Sequence, residues 1–420
     1  MTKVRRLFQF ESFGLRLKTY KRHDKEGRYM PSNDIKAMDK VRSGRDVNVE
    51  LLRILACIMV IVAHVRPLLI SDDGQIMDTA LLCQAFAAPA VSIFFMISGF
   101  FAPKNPNFIK TWKRCVTGVL IPALVLVIVT GFLNGYLSGD MGFFESIAHT
   151  DIRLLAKNTF EGIIGFDAAK FGDYNAHLWY IFSYILVMLF LPVMCVLAQH
   201  ADRRVLWFFT ILINYRLLIV DIVALYPFPM VVYLPQFLPP EIGVFILGYM
   251  IYTEGRRYRD HRLTKPLCAA LFAAALIAMF LGQHKLFEAM IPETADPSSL
   301  NFESPYFLSW TCGLAILASA FAVMFILSLH IRGPRISRLI SFLGGLTFPI
   351  YLIHFPILAR LMNIGLSTEI YPRFSVSGAG VLIYTALMAV VLFLISAVFS
   401  FVIREIFRKI VGIIKGKKFS

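Results

Sequence analysis

Two residues with usable chemistry interrupt an apolar stretch. In RDVNVELLRILACIMVIVAHVRP, residues 45–67, Arg53 stands just inside the hydrophobic run and His64 stands deep within it. On a helix, eleven steps of about 100° bring the two within about 20° of one another, about 16.5 Å apart along the axis. A guanidinium is a permanent cation whose planar fork of donors matches phosphate and carboxylate. An imidazole titrates near neutral pH and serves as base, acid or nucleophile. Ionisable groups within a membrane span usually face the bundle interior and mark a site or pathway. The stripe therefore reads as a cytosolic anion anchor joined to a proton-transfer centre nearer the outside. The plainer readings are interfacial snorkelling for Arg53 and a helix–helix hydrogen bond for His64. Glu50 lies one turn before Arg53 and can pair with it.

The elements that would position these residues follow from composition. Of 420 residues, 57% are hydrophobic and 16% charged, against about half and a quarter in soluble domains. The excess falls in blocks of about twenty residues, the length of a membrane-crossing helix. Ten spans are expected, at 49–70, 80–102, 115–137, 178–199, 205–224, 233–252, 265–282, 305–329, 340–362 and 378–402. Arg216 and Asp221 interrupt the fifth, and prolines blur the sixth. The net charge of +15 first brings nucleic acid to mind, but its placement excludes that partner. The tails and even-numbered loops hold 33 of the 42 Lys and Arg, and the odd-numbered loops hold five. By the positive-inside rule both termini are cytosolic, and the basic residues mark topology and contact with membrane lipids. The expectation is an all-α polytopic membrane protein. A basic N-terminal tail (1–48) precedes a ten-helix membrane domain (49–402), and a basic amphipathic C-terminal tail (403–420) follows it. The N-terminal tail reads equally as an interfacial helix or as disorder. The six cysteines lie in or at the ends of spans, without metal-ligand spacing, and read as packing residues. No metal and no resident cofactor is expected.

Other spans carry further candidates. His354 lies about fourteen residues from the cytosolic start of the ninth span and His64 about fifteen from that of the first, so their depths match. Tyr351 is one turn before His354. Ser98 and Gly99 sit near the cytosolic end of the second span, where small residues usually allow close helix approach. His177, Trp179 and Tyr180 open the fourth span at the outer mouth and read as an aromatic belt. The longest outward loop, 138–177, carries Asp140, Glu145, Asp151, Glu161, Asp167 and Asp173. Most read as solvated charges, with room for one acceptor contact.

Four landmarks carry a resemblance. Arg53 and His64, preceded by the N-x-E-L-L-R of Asn48 to Arg53, resemble the opening signature of the integral-membrane acyltransferase family 3. VSIFFMISGFF (91–101), HLWYIFSYILVMLFLP (177–192) and FPIYLIHFPIL (348–358) resemble its later segments, in the same order. The N-x-E-L-L-R form is most similar to enzymes of exopolysaccharide, capsule and related envelope-glycan pathways. The resemblance implies a multi-pass protein of the bacterial inner membrane. It would move an acyl group, usually acetyl, from cytosolic acetyl-CoA or another acyl-CoA to a hydroxyl of an envelope glycan or lipid-linked saccharide. His64 would be base or acyl relay, and His354 would orient it or the acceptor. Arg53 and Glu50 would anchor acyl-CoA, and Ser98 would border a passage for the pantetheine arm. Relatives often carry an Arg-x-x-Arg pair in the loop after span two. Here Lys110, Lys113 and Arg114 stand without that pair, with Lys113 and Arg114 as acyl-CoA candidates. His177, Trp179 and Tyr180 would stack on an acceptor sugar. A competing reading is a glycan exporter, since Pro-broken segments such as 228–240 also occur in transporters. A third is a structural scaffold, against which stand two histidines at matching depth.

Overall fold

The structure is a computed structural model that describes residues 46–71, 74–101, 107–224, 239–293, 306–374 and 377–414. Side chains at 213, 215–224, 256, 293, 306, 366–369 and 407–414 fall outside that description. Most of the N-terminal tail, the roles of Arg216 and Asp221, and the face formed by Phe407, Ile410, Val411 and Ile414 therefore lie outside it.

The described elements are helices, apart from one isolated bridge between Ile70 and Ile76. In chain order they are α1 (Val47–Val65), α2 (Asp78–Ala87), α3 (Ala90–Phe101), α4 (Phe108–Cys115), α5 (Ile121–Phe132), α6 (Asn134–Ser138), α7 (Phe143–Ala148) and α8 (Ile152–Gly165). After two 3-10 turns, Ala168–Phe171 and Asp173–Leu178, come α9 (Trp179–His200), α10 (Arg203–Ala224), α11 (Pro240–Glu254), α12 (Thr264–Met290) and α13 (Gly313–Leu327). The chain continues with α14 (Pro334–Gly344), α15 (Thr347–Leu361), α16 (Tyr371–Phe374) and α17 (Gly378–Ile414). Among the described residues seven helical segments are long and apolar enough to cross a membrane: Val47–Val65, Asp78–Phe101, Phe108–Phe132, Asp173–His200, Thr264–Met290, Thr347–Gly365 and Gly378–Ile406. The other three expected spans are also helical, as α10, α11 and α13. Helices α11 and α13 have 15 residues each, about 22 Å of rise against a hydrocarbon core of about 30 Å.

Three boundaries differ from the sequence reading. The expected ninth span, 340–362, is broken at Gly345–Leu346 into α14 and α15. The break falls where Gly344 meets α1: a Cβ there would lie 2.3 Å from Glu50 Oε2. The expected outward loop 138–177 is largely helical, its short elements begun by side-chain caps from Asp151 and Asp167. Helix α17 runs without interruption through residue 402 to Ile414.

Helix α1 occupies the middle of the bundle, touching α2, α3, α13, α14, α15 and α17. It buries Leu52, Ala56, Met59 and Ile61 completely. Its first turn is pinned by Asn48, whose Nδ2 donates to the carbonyls of Leu327 and Leu329 at 3.2 and 2.9 Å. Those carbonyls belong to the last turn of α13 and the residues after it, which need outside donors. The tightest helix approach joins α3 to α11. A Cβ on Gly99 would lie 2.0 Å from the Phe245 carbonyl oxygen, and one on Gly248 would lie 2.3 Å from that of Met96. Gly99 thus has the packing role that small residues take between membrane helices. The six cysteines are free, and five of them are buried among helices.

Candidate active site

At one end of α1, Arg53 Nη1 donates to Glu50 Oε1 at 2.8 Å. The arginine is half-buried and the carboxylate almost fully buried, with side-chain exposures of 36% and 3%. Glu50 cannot swing away, because the last turn of α14 closes on it at Gly344. Its other oxygen, Oε2, is buried without a hydrogen-bond partner. The guanidinium is therefore held from behind by one acidic oxygen and keeps donors for an incoming anion.

At the other end three imidazoles gather. The rings of His64 and His354 are 5.3 Å apart between centroids, and those of His354 and His177 are 5.2 Å apart. Phe355 stands between the outer two, 4.9 Å from His64 and 5.3 Å from His177. The matching depth of His64 and His354 becomes direct proximity. His177, expected to open the fourth span, joins this cluster. It is buried, 5% exposed, inside the bundle.

The reason lies in Pro356. Proline has no amide N–H, so within α15 it leaves the Leu352 carbonyl without its helical donor. His177 Nε2 donates to that carbonyl at 3.1 Å. The Tyr351 hydroxyl in turn donates to the His177 backbone carbonyl. His354 Nδ1 donates to the Tyr351 carbonyl at 2.7 Å. Because a carbonyl only accepts, these bonds set both tautomers. His354 Nε2 and His177 Nδ1 are left as bare lone pairs, buried and without hydrogen-bond partners. Among the described residues neither ring nitrogen of His64 is hydrogen-bonded. The cluster can accept a proton and can hold it near a reacting hydroxyl.

Tyrosines link the two ends. Tyr184 and Tyr180 are 6.3 Å apart, and Tyr180 and Tyr351 are 5.7 Å apart. Tyr351 borders His177 at 5.5 Å and His354 at 6.0 Å. Arg53 lies near enough to Tyr180 and Tyr184 to interact with both electrostatically. Tyr180 thus turns into the bundle, whereas Trp179 is exposed and stacks on Trp310 at 5.7 Å. Ser98 Oγ donates to the Phe94 carbonyl one turn back in its own helix, at 2.9 Å. Lys113 and Arg114 are exposed on α4, and among the described residues neither has an ion-pair partner. Nothing in the described contacts joins them to Arg53.

Helices α5 to α8 and the two 3-10 turns enclose a cleft of about 560 Å³, bordered by Asn134, Ser138, Asp140, Asn158, Lys170 and Tyr174. That volume is within the usual range for small-ligand sites. Tyr174 and His177 are three residues apart on one 3-10 turn, which eclipses them. Helix α15 braces the cleft wall, since Arg360 Nη1 donates to the Tyr136 carbonyl and Asn363 Nδ2 to that of Leu137. Of the loop carboxylates, Asp140, Asp151 and Asp173 border the cleft. Asp151 also caps α8, and Glu161 pairs with Lys157 at 3.8 Å.

Pro356, Phe355 and Gly344 escape a reading that looks only for reactive groups. The H-x-P spacing of His354 and Pro356 is a visible signal of a freed carbonyl, although it does not name the partner. A family model described as an acyltransferase domain, of acyltransferase family 3, matches residues 46–405. No curated protein and no solved structure matches the chain.

Proposed function

Since the chain belongs to acyltransferase family 3, and is thus a multi-pass membrane acyltransferase, we propose that it moves an acetyl group from cytosolic acetyl-CoA to a hydroxyl of an envelope glycan. The observation that carries this reading is the layout of α1, with an anchored guanidinium at one end and the three-histidine cluster at the other. Arg53 binds a phosphate of the donor while Glu50 holds its fork. The pantetheine arm extends past Tyr184 and Tyr180 and presents the thioester carbonyl beside His64. The acceptor saccharide occupies the outer cleft, where Tyr174 offers a ring face to a sugar. Trp179 lies outside the cleft, so Tyr174 takes the stacking role in this reading.

His64 takes the proton of the acceptor hydroxyl as its oxygen attacks the thioester carbon. The tetrahedral intermediate collapses, the C–S bond breaks, and the imidazolium returns its proton to the departing CoA sulfur. His354 stands behind His64 and spreads the transient positive charge, helped by its bare Nε2. A covalent variant carries the acyl group first on a His64 nitrogen and then on the acceptor oxygen, with the same net balance. The reaction belongs in the bacterial cytoplasmic membrane, with the donor inside and the acceptor outside.

His64→Ala tests this reading. Alanine is well tolerated in a helix, so the protein should insert and still bind acyl-CoA at Arg53. Acetyl content per glycan should fall by roughly 10² to 10⁴, the range for a lost general base. Mass spectrometry of surface glycan, together with its total amount, reads the outcome. Normal acetylation with reduced surface glycan would overturn the transfer reading in favour of export.

A further inference from the structure

The last polar residue of the opening stretch, Arg66, stands two positions beyond His64, near enough to interact with it electrostatically, and has no role in the transfer chemistry described above. It borders a second cavity of about 410 Å³ at the end of α1, with Leu68, Met77, Met362, Tyr371 and Tyr384. Neutral groups hold its guanidinium. Nε donates to Gln84 Oε1 at 2.7 Å, and Nη1 donates to the Pro67 carbonyl at 2.7 Å. Among the described residues Nη2 has no acceptor and no carboxylate pairs with Arg66. Asp78, which shares α2 with Gln84, is committed to His284 at 3.2 Å. A half-buried, rigidly held cation with no counter-charge among the described residues costs desolvation energy that an anionic ligand would recover. Two tethers to neutral acceptors preorganise it for that ligand at little further entropic cost.

The walls specify what carries the anion. They are mostly apolar, with Val65, Pro67, Leu68, two thioethers and two aromatic rings, and apart from Arg66 their side-chain hydrogen-bonding groups are the hydroxyls of Ser71, Tyr371 and Tyr384. A bare sugar acid would press several hydroxyls against the apolar part of these walls, where they would go unsatisfied. A phosphate on a hydrocarbon chain would satisfy both the guanidinium and the walls. The position also fits the transfer reading. Met362, at the end of α15, borders this cavity, while Arg360 and Asn363 of the same helix end brace the saccharide cleft. One helix end therefore stands between the two cavities.

We propose that the Arg66 cavity binds the phosphate of a lipid-linked saccharide, so that the acceptor is held at its lipid phosphate while its sugar enters the cleft. This rests on the acyl-transfer reading for the word acceptor, but the phosphate site is testable by itself. The full-length protein is placed in nanodiscs of neutral phosphatidylcholine. Saturable binding of radiolabelled decyl phosphate is measured above that of empty nanodiscs. Inorganic phosphate, decyl glucoside and glucuronic acid serve as competitors. Decyl phosphate should bind, and each competitor should be at least tenfold weaker. Arg66→Gln should weaken decyl phosphate at least tenfold and leave acyl-CoA affinity unchanged, and Arg66→Lys should recover part of the loss. Leu68→Gln, at an exposed wall position, should weaken decyl phosphate about threefold and inorganic phosphate not at all. It carries the test if Arg66→Gln fails to fold. Wild-type decyl phosphate affinity in either variant would overturn the site. Equal competition by decyl glucoside would overturn the phosphate, and stronger competition by glucuronic acid would replace it with a sugar carboxylate. Failure of the wild type to bind acyl-CoA would overturn the transfer reading alone, because the decyl phosphate arm reads Arg66 directly.

Discussion

The missing amide hydrogen of Pro356 decides where His177 sits. It exposes the Leu352 carbonyl, and His177 Nε2 answers it at 3.1 Å. Pro356→Ala restores an N–H at that position. A carbonyl has two lone pairs, so His177 is not evicted outright. Helical closure nonetheless draws the oxygen toward the axis and weakens the imidazole bond. The variant should unfold at the same or a higher temperature, because an interior proline costs a helix about 3 kcal/mol. Acetyl transfer should fall about fivefold, the value of one hydrogen bond of about 1 kcal/mol. A gain in stability with undiminished transfer would show that the His177 bond is structural only. Residue-level legibility follows the same line. Arg53, Glu50, His64 and His354 could be read from spacing, since helical period and span depth alone bring them into pairs. The inward position of His177 could not, because it depends on a carbonyl freed in a distant segment. Arg66 lay in plain view, but its meaning depends on which groups surround it.

At the scale of elements, the apolar helices are legible because blocks of about twenty apolar residues have few other structures open to them in lipid, and seven of the described segments are long and apolar enough to cross a membrane. The break between α14 and α15 is not legible, because it arises where a glycine of one helix meets a carboxylate of another. Gly344→Ala probes that contact. Its Cβ would stand 2.3 Å from Glu50 Oε2 and 2.7 Å from Glu50 Cβ. The Glu50 side chain must shift, since overpacking of this kind costs about 1 to 3 kcal/mol. Its 2.8 Å bond to Arg53 would be the first to stretch. Acyl-CoA binding should weaken up to tenfold, in the same direction as Arg53→Ala and by less, while insertion in the membrane persists. Unchanged acyl-CoA affinity in a folded Gly344→Ala protein would remove Glu50 from the anchor. The short helices α6 to α8 were equally hidden in the sequence. Their apolar faces are too brief to stand out, although Asp151, which caps α8, is a visible cue, as is Asp167 for the 3-10 turn that follows.

For the whole molecule, the function proposed above depends on sidedness, because donor and acceptor approach from opposite faces. The charge distribution sets the expectation: 33 of 42 Lys and Arg fall in the tails and alternate loops, which places those segments in the cytosol. On that expectation Asp151, at the start of α8, would face outward with the proposed saccharide cleft, and Arg257, after α11, would face inward. Helix α1 would carry Arg53 toward the cytosol and Arg66 toward the outer face, so one helix would link the proposed donor anchor to the proposed acceptor-phosphate site. Five native cysteines are buried and should resist aqueous thiol reagents. With Cys195 replaced by alanine, single cysteines are introduced at Asp151 and, separately, at Arg257. A membrane-impermeant maleimide applied to intact cells should label the first and spare the second, and both should react once the membrane is permeabilised. Labelling at Arg257 alone would invert the protein. Arg53 would then face a compartment without acyl-CoA, and the donor and acceptor roles of the two ends of α1 would both fail.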